Sequence, residues 1–202
     1  MPNTTTLILP AIARWLTSVI FVGFLVLPEL AAAKAELLQH TVKVEGHPMA
    51  LWEKRASKPK GTILLLHGKT WSALPDFDLQ VTGENLSFMD GLVEKGYTVY
   101  ALDGRGYGGT PRDHTGWLTP DRAAQDATAI LNWIKSRNGI ASHLFGWSYG
   151  SMVAQLVVQR LPDLVSSVTL FGYPHYRGRF ASAERPEYPA EAPAKENTAP
   201  NA

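Results

Sequence analysis

The pentapeptide at residues 146–150, Gly-Trp-Ser-Tyr-Gly, constrains the fold of this chain more than any other feature. Two glycines flank a serine at the spacing of a sharp turn between a strand and a helix, where a Cβ atom would crowd the backbone. Residues 142–145 before it have the pattern of a short buried strand, and the apolar residues 152–159 after it predict a helix that ends near Leu161 and Pro162. The pentapeptide therefore predicts a strand, a strained turn and a helix in direct succession.

Two further strands are predicted to end in characteristic loops. Residues 62–66 form a continuous apolar run, as a buried parallel strand does, and lead directly into the His-Gly pair at residues 67–68. Residues 97–102 form a second run of this kind and lead into residues 103–110, Asp-Gly-Arg-Gly-Tyr-Gly-Gly-Thr. The chain thus has three strand-to-loop motifs in a fixed order.

These motifs, in this order, resemble the α/β-hydrolase family. The resemblance covers about residues 37–174 and is specific to the family rather than to one substrate. It implies an α/β fold with a mostly parallel sheet and helices on both faces, here C-terminally incomplete. The sheet edge beyond residues 165–171 is then expected to be open.

The intervening sequence agrees with alternating strands and helices. Strands are expected over residues 41–44, 49–52, 62–66, 97–102, 142–145 and 165–171. The first two should form a hairpin at one sheet edge. Helices are expected over residues 87–95 and from Thr119, which can cap a helix with Pro120 in its first turn. Residues 71–86 are expected to form a loop.

Composition narrows the classes of function. The 202 residues are 45% hydrophobic, which suits one globular domain with a core, and the net charge is +1. No basic stripe is visible, so nucleic acid is not an expected partner. The chain has no cysteine, which excludes disulfides, thiolate metal sites and a cysteine nucleophile. The histidines lack metal-ligand spacing, and no metal or cofactor is expected.

One motif formally fits a dinucleotide site. Residues 104–109 match Gly-x-Gly-x-x-Gly after a predicted strand. In a dinucleotide site the third glycine opens a helix, whereas here the next helix is expected only near Thr119. We therefore interpret this segment as a loop.

The N-terminus has the layout of an export signal. Arg14 precedes the uncharged run 15–28, and small residues follow up to Ala33 and Ala35. This predicts that residues 1–35 are a signal peptide, cleaved after one of these alanines, or an uncleaved membrane anchor. Export to the periplasm or the exterior is expected in the first case and membrane contact in the second.

The chain after the export segment divides into two parts. Residues 36–180 are expected to form the α/β core with six strands. Residues 181–202 are rich in Ala, Pro and Glu without apolar periodicity, and we expect this tail to be disordered.

The pentapeptide supplies the candidate catalytic residue. Ser148 is the expected nucleophile, because the turn exposes its hydroxyl group above the sheet. The architecture places one oxyanion-binding N–H on the residue after the nucleophile, here Tyr149. The resemblance implies that the backbone N–H of Lys69 is the second.

Other polar and aromatic residues near these loops have two interpretations. The resemblance implies that His67 holds its loop rather than acting as a base, and that Asp103 and Arg105 tie together the loop after their strand. The tryptophans beside these loops could line an apolar substrate pocket or pack in the core. They are Trp71, Trp117 and Trp147.

The catalytic acid and histidine that should follow the serine in the sequence are difficult to assign. After Ser148 the sequence has one aspartate, Asp163, and one histidine, His175. Asp163 follows the helix that begins at the turn, so it should lie far from Ser148, whereas His175 follows a strand beside the turn and is the candidate base. By resemblance, the strands that carry the usual acid and histidine are absent.

The sequence therefore predicts the N-terminal portion of a serine hydrolase that cleaves a small ester-like molecule through an acyl-enzyme, with weak or no activity on its own. Amide, lactone and carbon–carbon bonds remain open as substrates. The alternative is a non-catalytic remnant or a membrane-associated binding module that keeps the scaffold.

Overall fold

A computed structural model describes residues 34–116 and 118–173. The expectations for the N-terminal segment, Trp117, His175 and the tail lie outside these residues. The strands are β1 (Leu37–Val44), β2 (His47–Lys54), β3 (Gly61–Leu66), β4 (Tyr97–Leu102), β5 (Ser142–Trp147) and β6 (Val165–Phe171). The helices are α1 (Ala73–Phe77), α2 (Phe88–Glu94), α3 (Pro120–Asn138) and α4 (Tyr149–Arg160), followed by a 3-10 turn at Pro162–Leu164. All six predicted strands are present, although β1 begins earlier than the predicted residue 41 and β5 extends past the predicted residue 145 into the pentapeptide.

The strands form one sheet in the order β1-β2-β4-β3-β5-β6. β1 and β2 pair as an antiparallel hairpin, and β2 pairs antiparallel with β4. β4, β3, β5 and β6 run parallel to one another. The predicted edge hairpin and the mostly parallel sheet are both confirmed.

Helices cover both faces of the sheet, because successive side chains of a strand point to opposite sides. On one face, α3 and α4 pack on Leu64 of β3 and Tyr100 of β4. On the other face, α1 and α2 pack on Leu65 and Val99 from the same two strands. Every residue of β3 is buried, which explains its continuous apolar sequence.

The helix starts follow local capping chemistry. The Thr119 side chain accepts a hydrogen bond from the N–H of Arg122 at 3.2 Å, and Pro120 is the first residue of α3. Ser87 caps α2 in the same way by accepting from the N–H of Asp90 at 2.9 Å. Both predicted helix starts are confirmed. No helix of the described residues is long and apolar enough to span a membrane.

The expectation of a loop throughout residues 71–86 is wrong, since α1 forms within it. This helix has five residues, too few to show apolar periodicity in the sequence. It forms because Ala73 and Phe77 are buried against the sheet and the N–H of Ala73 donates to the Asp103 carboxylate at 2.8 Å. A tertiary contact 30 residues away in the chain thus stabilises a helix that local propensity does not predict.

The topology brings three loops to one place. The carboxyl ends of the parallel strands β3, β4 and β5 lie at the same edge of the sheet, with Leu66 paired to both Leu102 and Gly146. The loops after these strands therefore meet there, as ligand sites do in open α/β sheets. β6 is the outer strand of the described sheet, and its Val168, Leu170 and Phe171 side chains are exposed.

Candidate active site

Ser148 occupies a strained turn between β5 and α4. Its backbone has φ 52° and ψ −113°, and Glu45 is the only other non-glycine among the described residues with a positive φ. Such a conformation costs about 1–3 kcal/mol and persists only where the surroundings enforce it. The serine side chain is partly exposed at the carboxyl edge of the sheet. This is the geometry expected of a nucleophile elbow.

The two glycines of the pentapeptide are required by close backbone packing. A Cβ atom on Gly146 would lie 2.3 Å from the carbonyl oxygen of Gly150. A Cβ atom on Gly150 would lie 2.1 Å from the carbonyl oxygen of Leu66, at the end of β3. Both distances are far below van der Waals contact, so the first turn of α4 can reach β3 and β5 only with glycine at these positions.

Hydrogen bonds tie the elbow to the end of β6. The N–H of Ser148 donates to the carbonyl oxygen of Phe171 at 2.9 Å. The hydroxyl group of Ser151 contacts the carbonyl oxygens of Gly146 at 2.6 Å and Phe171 at 2.9 Å. Sequence reasoning missed Ser151, which holds strand and helix together on the buried side of the turn.

The loop after β3, residues 67–72, lies directly beside the serine. A Cβ atom on Gly68 would lie 3.7 Å from Ser148 Cβ and 3.7 Å from the Trp147 ring. Ring atom Nδ1 of His67 bonds the carbonyl oxygen of Gly68 at 2.6 Å, and the N–H of Gly104 donates to Nε2 at 3.0 Å. Because Nε2 accepts, the proton is assigned to Nδ1.

His67 is therefore a bridge between two loops. Both of its ring nitrogens are engaged by backbone groups, and neither is directed to Ser148. Burial lowers the pKa of His67, which keeps the ring neutral and able to accept from Gly104. The expectation that His67 holds the loop is confirmed.

Asp103, at the end of β4, organises the glycine-rich loop around itself. Its carboxylate accepts from the Trp52 indole N–H at 2.8 Å, the Ala73 N–H at 2.8 Å and the Gly109 N–H at 2.9 Å. Gly108 lies so close that a Cβ atom there would be 2.3 Å from a carboxylate oxygen. The glycines expected to form a loop thus wrap a buried carboxylate.

Arg105 anchors the same loop to α3. It makes two hydrogen bonds of 2.8 Å to the Asp126 carboxylate and a third of 3.2 Å to Asp113. The paired bonds and the buried carboxylates raise the pKa of Arg105, so it stays charged. The structural roles expected for Asp103 and Arg105 are confirmed.

Asp76 is a second residue near the elbow that sequence reasoning missed. It lies on α1, and its Oδ2 atom accepts a hydrogen bond from the N–H of Gly68 at 3.0 Å. Burial raises the pKa of Asp76 to about 6, while the Gly68 hydrogen bond acts in the opposite direction. The only signal in the sequence was its position eight residues after Gly68, in a segment expected to be a loop.

The part of the chain that carries these motifs matches a known protein family. Residues 63–200 match the family model of the alpha/beta hydrolase family. The chain belongs to the alpha/beta hydrolase family. No curated protein matches the chain.

Solved structures of alpha/beta hydrolases share the fold. The chain is 28% identical to a membrane phospholipase A described as a bacterial virulence factor, covering 66% of this chain and 39% of that one with a TM-score of 0.54. For an epoxide hydrolase from Vigna radiata the identity is 22%, the coverage 70% and 41%, and the TM-score 0.53. For a thioesterase domain from the curacin biosynthetic pathway these values are 17%, 66% and 43%, and 0.53. The chain spans less than half the length of each of these three structures.

The other residues singled out in the sequence of this alpha/beta hydrolase lie at different distances from the elbow. Trp147 is partly buried beside Gly68 and near Gly172, whereas Trp71 is 44% exposed on the loop after β3. Asp163 is exposed in the 3-10 turn beyond α4, whose 12 residues separate it from the elbow by roughly 18 Å. The described residues contain no cluster of side chains suited to a metal ion.

A small pocket lies on the α3 and α4 side of the elbow. Its lining is mostly apolar and includes Leu66, Leu118 and Val153, with His67 and Tyr149 among its polar members. Burial raises the pKa of the Tyr149 phenol, so this side chain is neutral. The pocket thus offers mostly apolar surface next to the first turn of α4, and its lining also includes Asp126, the partner of Arg105.

Proposed function

We propose that this alpha/beta hydrolase is a serine hydrolase that cleaves carboxylic esters or related acyl bonds through an acyl-enzyme. The observation that carries the proposal is the backbone of Ser148, held at φ 52° between β5 and α4 with Gly68 directly beside it. A strained serine at this edge of the sheet is the feature that presents a nucleophile to a bound carbonyl group.

The proposed reaction has two steps. Ser148 Oγ loses its proton to a base and attacks the carbonyl carbon of the substrate. The protonated base then gives this proton to the leaving alcohol as the carbon–oxygen bond breaks, and a serine ester remains. Water attacks this ester in the second step, releases the carboxylic acid and restores the serine.

Two backbone N–H groups would stabilise the negative oxygen that forms in each step. Tyr149 is the first residue of α4, so its N–H has no partner within the helix and lies at the positive end of the helix dipole. The N–H of Lys69 belongs to the loop that contacts Ser148. Removing one such donor typically costs about 10²–10³ in rate.

The contacts described above do not identify a general base for Ser148. His67 is used by backbone groups, and the described residues after Ser148 contain no histidine. We propose His175 as the base, without an acid partner. An oxyanion hole and substrate binding alone give about 10³–10⁴ over water, so we expect weak activity from this chain.

The substrate class is proposed from chemistry and from the comparisons. The phospholipase A and the thioesterase domain act on acyl bonds by their names, and the former shares 28% identity with this chain. A substrate group that enters the space beside Tyr149 meets a mostly apolar lining, which favours an acyl or alkyl chain over an anionic group. The similarity to an epoxide hydrolase shows that proteins with this fold also cleave other types of bond.

We propose that the protein is located outside the cytoplasm, because residues 1–35 have the pattern of an export signal. If this segment is not cleaved, it would attach the protein to the membrane. If it is cleaved, N-terminal sequencing of the expressed protein should find Lys34 or Glu36 as its first residue. A protein that begins at Met1 and needs detergent for extraction would favour the anchor.

The test of function is active-site labelling with a fluorophosphonate probe, followed by mass spectrometry of the labelled peptide. We expect slow labelling of Ser148, none in Ser148→Ala, and the wild-type rate in Ser57→Ala, which changes an exposed serine on the β2–β3 connection. Loss of labelling in His175→Ala identifies the base. Labelling that survives Ser148→Ala would refute the nucleophile, and a wild-type protein that never reacts would support the non-catalytic scaffold.

A further inference from the structure

Gly68 lies between the proposed nucleophile and a carboxylate. The position of a Cβ atom on Gly68 is 3.7 Å from Ser148 Cβ and also 3.7 Å from Asp76 Oδ2. The same Asp76 oxygen accepts the N–H of Gly68 at 3.0 Å. One residue of the loop after β3 thus lies beside the elbow and is hydrogen-bonded to α1.

Both polar backbone groups of Gly68 are held by side chains. Asp76 accepts its N–H, and His67 donates to its carbonyl oxygen. The described chain has no cis peptide bond, so the N–H of Lys69 points opposite to the carbonyl oxygen of Gly68. His67 therefore fixes the peptide unit that carries the Lys69 N–H, and Asp76 fixes the peptide unit directly before it.

We propose that Asp76 is a positioning residue of the site: its carboxylate holds the Gly68 backbone so that the Lys69 N–H faces the oxyanion. This inference rests on the proposed function. Asp76 does not touch substrate in this role, and it acts through the backbone of the loop. Oxyanion donors work because they are fixed before the charge develops, so a loosened donor loses much of its value.

The ionised form of Asp76 is the better acceptor for the Gly68 N–H, which makes the contact sensitive to pH. α1 packs against β3 and β4, whose ends carry His67 and Asp103. His67 is neutral, and Asp103 is bound by three donors. Lys69 is exposed on the loop, and no ion pair to Asp76 forms among the described residues. Asp76, whose pKa is about 6, is thus the group expected to loosen the loop as pH falls.

The first experiment needs no activity. The backbone amide resonance of Gly68 in ¹⁵N-labelled protein is followed by NMR between pH 4 and pH 8. We expect a shift with a midpoint near 6 in the wild type that is absent in Asp76→Asn, because the amide oxygen accepts a hydrogen bond without titrating. The control is Asp163→Asn, the same change at an exposed aspartate, which should leave the Gly68 titration intact.

The second experiment measures the rate at which the fluorophosphonate probe modifies Ser148. At pH 8, Asp76→Ala should lower the maximal labelling rate about tenfold with little change in the probe concentration at half-maximal rate, since a misaligned donor costs less than a deleted one. Asp76→Asn should restore the rate to within about twofold, because its oxygen still accepts from Gly68.

The outcomes separate this inference from the proposed function. A Gly68 resonance that does not follow Asp76, or an Asp76→Ala protein that labels at the wild-type maximal rate, would overturn the positioning role. If the wild-type protein is never labelled, the serine hydrolase proposal fails. The Gly68 titration then decides by itself whether Asp76 holds the loop.

Discussion

The elbow and the loop after β3 lie side by side, but different forces hold them. At the elbow, Gly146 and Gly150 let backbone touch backbone, and the contact of Gly150 with the carbonyl oxygen of Leu66 leaves no space for a methyl group. The loop after β3 is held by side chains: His67 donates to the Gly68 carbonyl oxygen and Asp76 accepts the Gly68 N–H. Asp103 accepts the N–H of Ala73, the first residue of α1 after the loop. Steric constraint fixes the proposed nucleophile independently of pH, whereas polar contacts fix the proposed oxyanion donor and can be removed one at a time.

The largest expected effect comes from breaking the steric contact. Gly150→Ala places a methyl group 2.1 Å from a backbone oxygen, so α4 must move away from β3. We expect the free energy of unfolding in guanidinium chloride to fall by more than about 3 kcal/mol. The matched control is Gly91→Ala in α2, where a Cβ atom meets nothing within 4 Å.

That control should behave in the opposite way. Alanine is favoured over glycine in a helix interior by about 1 kcal/mol, so Gly91→Ala should stabilise the protein or leave it unchanged. A Gly150→Ala protein as stable as Gly91→Ala would show that steric contact does not fix the elbow.

A smaller loss is expected from breaking the polar scaffold. Asp103→Ala leaves the N–H groups of Trp52, Ala73 and Gly109 without their acceptor at a buried site. An unsatisfied buried donor costs about 1–3 kcal/mol, and water entering the space relieves part of this, so we expect a loss of about 2–3 kcal/mol. Glu84→Ala, at an exposed carboxylate between α1 and α2, is the control and should stay within about 0.5 kcal/mol of wild type. A loss below about 1 kcal/mol for Asp103→Ala would mean that the loop does not depend on this carboxylate.

The difference between local steric contacts and polar contacts from distant residues also explains which features could be predicted from the sequence. The elbow was predictable because its constraint is local: Gly146 and Gly150 flank Ser148 within five positions of a strand–helix junction, and each glycine is required by packing. The strands were predictable because a central parallel strand such as β3 is buried on both faces and reads as a continuous apolar run.

The support of the loop after β3 was harder to find, because its partners are distant in the chain. His67 meets Gly104 across 37 positions, and Asp103 meets Ala73 across 30. The roles of His67 and Asp103 came from family resemblance, and no pattern of residues pointed to Asp76 or to α1. Such contacts depend on which loops the sheet order brings together, and that order is a property of the whole fold.

The smallest expected effect concerns the backbone strain at Ser148. The surroundings of Ser148 hold a non-glycine residue at φ 52° and ψ −113°, a conformation that glycine adopts without steric cost. Ser148→Gly should therefore raise the free energy of unfolding, by about 1 kcal/mol after allowance for the greater entropy of the unfolded chain, and should abolish labelling. Ser148→Ala is the control, because it removes the hydroxyl group and keeps the Cβ atom, so labelling should be lost without the gain in stability. If glycine and alanine at this position give the same stability, no strain is stored at the elbow. If only glycine stabilises, the strain belongs to the backbone of the turn, and the steric contacts of Gly146 and Gly150 are what sustain it.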